Sequence, residues 1–134
     1  MLFGGHTVID EELEKAKAAE SLNTEGDGLF KTGKYQDAIS KYSEASKADP
    51  TVAAYHSNAS ACWEKLEDFS KMEDCARKCM KVDKNFLRGH IQLTTAMKRQ
   101  FDYEGHKKAV EEGLKIESSN VDLLRMKKEI ENGA

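Results

Sequence analysis

The sequence predicts an all-α protein built as a stack of helical hairpins, and three observations carry that reading. Apolar or small residues recur at helical spacing on both sides of Thr32-Gly33-Lys34. The pattern then returns twice at an offset of 34 residues. The chain of 134 residues has one proline and few β-branched runs, which argues against a sheet.

Taken in order, residues 1–9 are expected to form a flexible lead-in, since the opening stretch lacks the basic start and apolar core of a secretion signal. Asp10 has the chemistry of a helix cap, with Glu11 and Glu12 at the positive end of the helix that follows. Leu13, Ala16, Ala19, Leu22, Gly26, Leu29 and Phe30 form one stripe, so a single helix is expected over about 11–32. Gly33 suits a left-handed closing residue. Tyr35, Ala38, Ile39, Tyr42 and Ala45 then define a return helix over about 35–47, closed by Asp49-Pro50.

Later elements repeat this plan. Trp63, Phe69, Ala76, Cys79 and Asp83 stand where Leu29, Tyr35, Tyr42, Ala45 and Asp49 stood. One period further on are Met97, Tyr103, Val110, Gly113 and Glu117. Helices are therefore expected over about 52–65, 69–82, 86–99 and 103–116, with Met72, Ala76, Cys79 and Val82 buried in the fourth and Trp63 anchoring a junction between hairpins. A last helix, about 120–131, offers Val121, Leu124 and Ile130 on one side and closes the open end of the stack.

The set Gly26, Phe30, Gly33, Tyr35, Ala38, Tyr42, Ala45 and Asp49-Pro50 resembles the tetratricopeptide repeat (TPR). Glu67 and Phe101 replace the turn glycine in later copies, and Lys84 and Ser118 replace the closing proline. The resemblance implies a right-handed superhelical stack of three TPR hairpins plus a C-terminal capping helix. Its repeats would cover about 19–52, 53–86 and 87–120, with the cap at 120–132 and the whole domain at 10–134.

Composition narrows the function classes. A net charge of -3, from 21 basic and 24 acidic residues, gives no bulk drive toward nucleic acid. No apolar run approaches the roughly 20 residues that span a bilayer. Three cysteines, Cys62, Cys75 and Cys79, are an odd set without the density of a disulfide scaffold, which favours a reducing, cytoplasmic setting and small core-filling thiols. Cys75 and Cys79 lack a nearby histidine to complete a zinc site, so no metal or cofactor is expected. His56 and His90 are one repeat apart, which packing explains, and no phosphate-cradling loop or nucleophile elbow is present. The expectation is that the protein is not an enzyme.

In such stacks the first helix of each hairpin lines a concave wall. In the co-chaperone group that resembles the heat-shock organising protein, that wall carries a carboxylate clamp for the C-terminal Glu-Glu-Val-Asp tails of heat-shock chaperones. A terminal carboxylate and an aspartate need several converging donors. The clamp's five places fall on Asn23, Asp27, Asn58, Arg88 and Gln92. Asn58 matches outright and Arg88 keeps a charge; Asn23 and Gln92 keep donors without charge; Asp27 puts a carboxylate where an amide belongs. Formal charge at the clamp falls from three positive to none.

Lys31, Lys65, Lys98 and Arg99 lie further along the same helices as a displaced basic site, and Asp27 and Arg88 are candidates to pair with each other. The peptide-binding set is thus Asn23, Asp27, Lys31, Asn58, Lys65, Arg88 and Gln92. The expected protein is a noncatalytic, co-chaperone-like adaptor, monomeric, with a peptide partner that includes the chaperone tail as a candidate. Two alternatives stay open: a TPR scaffold for a non-chaperone partner using a non-clamp surface, and a self-associating structural protein.

Overall fold

The computed structural model describes residues 2–133, with side chains from Ile9 onward. Seven helices follow one another: α1 (Leu2–Lys31), α2 (Tyr35–Ala48), α3 (Ala53–Lys65), α4 (Phe69–Val82), α5 (Leu87–Arg99), α6 (Tyr103–Ile116) and α7 (Val121–Glu131). No strand occurs among the described residues. Each helix packs on its neighbour in sequence, and α3 also touches α5, so the first helices of adjacent hairpins lie side by side.

The turns explain why the period is kept while residues change. Gly33, Glu67 and Phe101 occupy equivalent places and all have positive φ, at 78°, 57° and 65°. Each is followed by the same closure: Lys34 N–H donates to the Leu29 carbonyl at 2.9 Å, Asp68 N–H to Trp63 at 3.0 Å and Asp102 N–H to Met97 at 2.9 Å. This is the six-to-one bond of a Schellman end, which satisfies the last carbonyls of a helix. Asp68 and Asp102 then start the next helices, accepting from the backbone N–H of Lys71 at 3.1 Å and Gly105 at 2.9 Å. At the other ends Asp49, Asp83 and Glu117 are all extended, with φ of -139°, -141° and -138°.

Packing trades large for small at equivalent places. Ala45 is buried with Tyr55, a Cβ on Gly89 would lie 3.0 Å from Cys79 Sγ, and a Cβ on Gly113 would lie 2.8 Å from Leu123 Cδ1. Each junction between hairpins thus sets a larger residue against a smaller one, so the helices fit closely there. Gly26 does the same within the first hairpin, where a Cβ would meet Tyr42 Cε1 at 2.7 Å.

Three expectations are corrected. α1 begins at Leu2 and Asp10 lies inside it, because no proline or capping turn interrupts the backbone before Lys31; the side chains of the lead-in expected over 1–9 fall outside the described residues up to position 8. Val82 ends α4 beyond the last buried residue and is 37% exposed, as Ile116 is at the equivalent end of α6. In α7 the buried anchor is Leu123, not Val121 or Leu124. The Asn120 side chain accepts from Leu123 N–H at 3.0 Å and sets the phase of the helix, which turns its two neighbours outward. Trp63 is half-buried, with Lys71 Nζ of α4 4.5 Å from its ring centroid.

Candidate functional site

Asn23, Asn58 and Arg88 come from α1, α3 and α5 and meet in one chain of hydrogen bonds. Arg88 Nη1 donates to Asn58 Oδ1 at 2.9 Å, and Asn58 Nδ2 donates to Asn23 Oδ1 at 2.8 Å. The order of atoms follows from chemistry: a guanidinium has no acceptor, so the Asn58 oxygen must face it and the Asn58 amine must face Asn23. Each amide oxygen therefore already accepts one bond inside the chain. The Asn23 amine, one Asn58 N–H and the other N–H groups of Arg88 have donating capacity beyond these two bonds. Several donors brought together from three helices suit an acceptor such as a carboxylate.

Asp27 stands beside this chain with the opposite chemistry. The Tyr42 hydroxyl donates to its Oδ1 at 2.6 Å. Burial first, then that hydrogen bond and the carboxylate charge, push the Tyr42 phenol well above its ordinary range. Asp27 and Arg88 do not pair; each has its own neutral partner.

Gln92 is 7% exposed and spends its amide inside the stack. Its Nε2 donates to the Ser57 carbonyl at 2.9 Å, and its Oε1 accepts from Ser57 Oγ at 2.8 Å. It ties α5 to α3 one residue away from Asn58. Nothing in the local sequence distinguished it from a surface amide; its partner Ser57 was visible only as part of a run of small residues.

The displaced basic set divides. Lys31 and Lys65 are exposed in the last turns of α1 and α3 and make no ion pair among the described residues. Lys98 is engaged by Glu129 of α7 at 3.3 Å. Arg99 reaches the α3–α4 turn, 3.7 Å from Glu67 and 4.3 Å from the Phe69 ring centroid. Phe30 packs edge-on against Tyr35, with centroids 5.2 Å apart, beside the first core cluster.

The thiols are set for packing. Cys62 and Cys79 are fully buried, and burial pushes both up to about 11. Cys75 is half-buried and also raised, chiefly by burial. Burial, then the Lys78 charge, lowers His56, whereas His106 is buried with Nδ1 2.7 Å from the Thr94 carbonyl. Among the described residues no group of three or more His, Cys, Asp or Glu is placed to hold a metal ion, and no helix is long and apolar enough to cross a membrane.

Three hairpins closed by left-handed turns at one period, with a shared polar wall across their first helices, give the chain the tetratricopeptide-repeat fold, and it resembles the repeat domains of co-chaperones. It is similar to the Hsp70-Hsp90 organizing protein 3 of Arabidopsis thaliana, 31% identical over 121 residues that cover 87% of this chain and 22% of that protein. It is 33% identical over 122 residues to stress-induced-phosphoprotein 1 of Caenorhabditis elegans, covering 82% of this chain and 38% of the relative. The chain thus spans well under half the length of these curated relatives. Among solved structures, the first TPR of Spaghetti (RPAP3) bound to the HSP90 peptide SRMEEVD superposes with a TM-score of 0.82 at 23% identity, over 88% of this chain and 94% of that one, which shows the fold. No protein-family model matches the chain.

Proposed function

We propose that this domain is a noncatalytic, cytoplasmic co-chaperone-like adaptor that holds an acidic partner peptide, such as a heat-shock chaperone tail, in its concave groove. The observation that carries this is the Asn23–Asn58–Arg88 chain, which brings amide and guanidinium donors from three helices together. Asn23, Asn58 and Arg88 meet the peptide's carboxylates, with Lys31 and Lys65 adding positive charge further along α1 and α3. Asp27 works against the same ligand. Gln92 positions α3 against α5 instead of touching peptide. Similarity to proteins named as Hsp70-Hsp90 organizing proteins, and to a TPR fold bound to an HSP90 peptide, supports the reading.

The test is calorimetric titration of SRMEEVD into the domain at low salt. Binding should weaken about tenfold or more in Arg88→Ala and in Asn58→Ala, since a charge-assisted bond contributes about 1.5 to 3 kcal/mol. Binding indifferent to both changes, or none at millimolar peptide, would sink it. A scaffold for a partner that presents a basic group is the second reading, favoured by the Asp27 carboxylate at a place where the clamp pattern has an amide; a lysine-bearing peptide that loses affinity in Asp27→Asn would support it.

A further inference from the structure

The helical period puts His90, Leu93 and Met97 on the face of α5 opposite Arg88 and Gln92. On that face, between α4 and α6, lies an open cleft of about 810 Å³ that continues into a narrower space of about 270 Å³. Arg77, Met80, His90 and Glu112 line both.

The lining is basic around an apolar floor. Arg77, Lys81, Lys84 and Lys115 stand around the larger part, and Lys108 stands at the narrower one. Glu112 is the carboxylate among the lining residues, and Lys115 Nζ engages it at 3.5 Å. Arg77 is held by Glu73 at 2.8 Å. Lys81, Lys84 and Lys108 make no ion pair among the described residues and are exposed. Met80, Leu93 and Met97 supply apolar surface between these charges.

His90 lies between the two parts of the cleft and fixes its wall. The ring is 6% exposed, and its Nε2 lies 2.7 Å from the Lys84 carbonyl. A carbonyl only accepts, so Nε2 donates and ties α5 to the segment that carries Lys84.

We propose that this cleft is a second peptide site, which takes an extended acidic segment of a partner protein on the side opposite the concave groove. Its carboxylates meet Lys81, Lys84 and Lys108, and its apolar side chains rest on Met80, Leu93 and Met97. A nucleic acid fits less well: no Phe, Tyr or Trp lines the cleft to stack a base, His90 is buried, and the chain as a whole is negative, at -3. The domain would then hold two acidic segments at once, one on each side of α5.

The experiment is an NMR titration of the whole chain with an N-acetylated, C-amidated peptide in which aspartate and glutamate alternate with leucine. Its blocked end denies the concave wall a terminal carboxylate. Amide shifts are expected at Arg77, Met80, Lys81, His90 and Glu112 and not at Asn23 or Asn58. Affinity should fall about tenfold or more in the Lys81→Glu/Lys84→Glu double variant and stay unchanged in Asn58→Ala. The proposal is overturned by shifts confined to the α1–α3 wall, by no shift in the cleft at the highest soluble peptide concentration, or by equal affinity for a peptide with asparagine and glutamine in place of the acids. If circular dichroism shows the charge-reversed variant has lost helix, Lys81→Gln/Lys84→Gln makes the same comparison, and undiminished binding there also overturns it.

Discussion

The Tyr42 hydroxyl donates to Oδ1 of Asp27 across 2.6 Å, tying α2 to α1 with a short, charge-assisted bond beside the Asn23–Asn58–Arg88 chain. A carboxylate accepts such a bond better than an amide oxygen does, so the residue proposed to oppose an acidic peptide also ties the two helices of the first hairpin together.

Asp27→Asn should therefore separate the two effects. Removing the negative charge leaves Arg88 uncompensated at the wall, and affinity for SRMEEVD should rise several-fold at low salt. Stability should fall by about 1 kcal/mol as the charged acceptor becomes neutral. Calorimetric titration and urea unfolding read the two quantities; a variant that binds no better than the parent refutes the electrostatic account.

Gln92 and Ser57 form a reciprocal buried pair, and each should be costly to lose alone. Gln92→Leu leaves the Ser57 hydroxyl without its acceptor and should cost about 1 to 3 kcal/mol, with much of it recovered in the Gln92→Leu/Ser57→Ala double variant. A double-mutant cycle on unfolding free energies checks this. Additive losses would show that the pair contributes no coupling.

Glu67 and Phe101 hold the left-handed turn positions that glycine holds at 33. The Glu67–Arg99 contact is 3.7 Å with both side chains well exposed, and Phe101 is 76% exposed beside Tyr103, so little is lost with either side chain. Relief of backbone strain outweighs the extra freedom of glycine in the unfolded chain, and Glu67→Gly and Phe101→Gly should each stabilise by up to about 1 kcal/mol. Chemical denaturation at an unchanged m-value checks the sign.

Alkali should unfold the stack in a defined window. Cys62 and Cys79, pushed from 9.0 to about 11, and Tyr42, raised above 10.0, keep their protons in the folded state after the unfolded chain has lost them. The native state then binds more protons than the unfolded one, so their stabilisation is present below pH 9 and is lost as pH rises through about 11. Unfolding free energy measured across pH 8 to 11 should fall, and Cys62→Ser or Cys79→Ser should flatten the slope; a parent profile that stays level contradicts it.

The architecture was legible because repeat proteins write it locally. A 34-residue period, small residues opposite large ones and a closing turn in each copy specify hairpins that can bury their faces only by stacking. Even the non-glycine turns at Glu67 and Phe101 kept their place, because the period demanded a left-handed residue there. The N-terminal boundary was not legible: Asp10 has good capping chemistry, but a cap acts only where the helix before it is already broken.

The sequence by itself singled out Asn23, Asn58 and Arg88, through its resemblance to the clamp pattern at the repeat's spacing. Only the tertiary structure decided what each of them has left to offer. An amide can donate, accept or do both, and a carboxylate or an ammonium can be spent or free, according to neighbours that are distant in sequence: Tyr42 for Asp27, Ser57 for Gln92, Glu129 for Lys98. Spacing fixes where a side chain starts, whereas the partners it finds across helices fix its unspent chemistry.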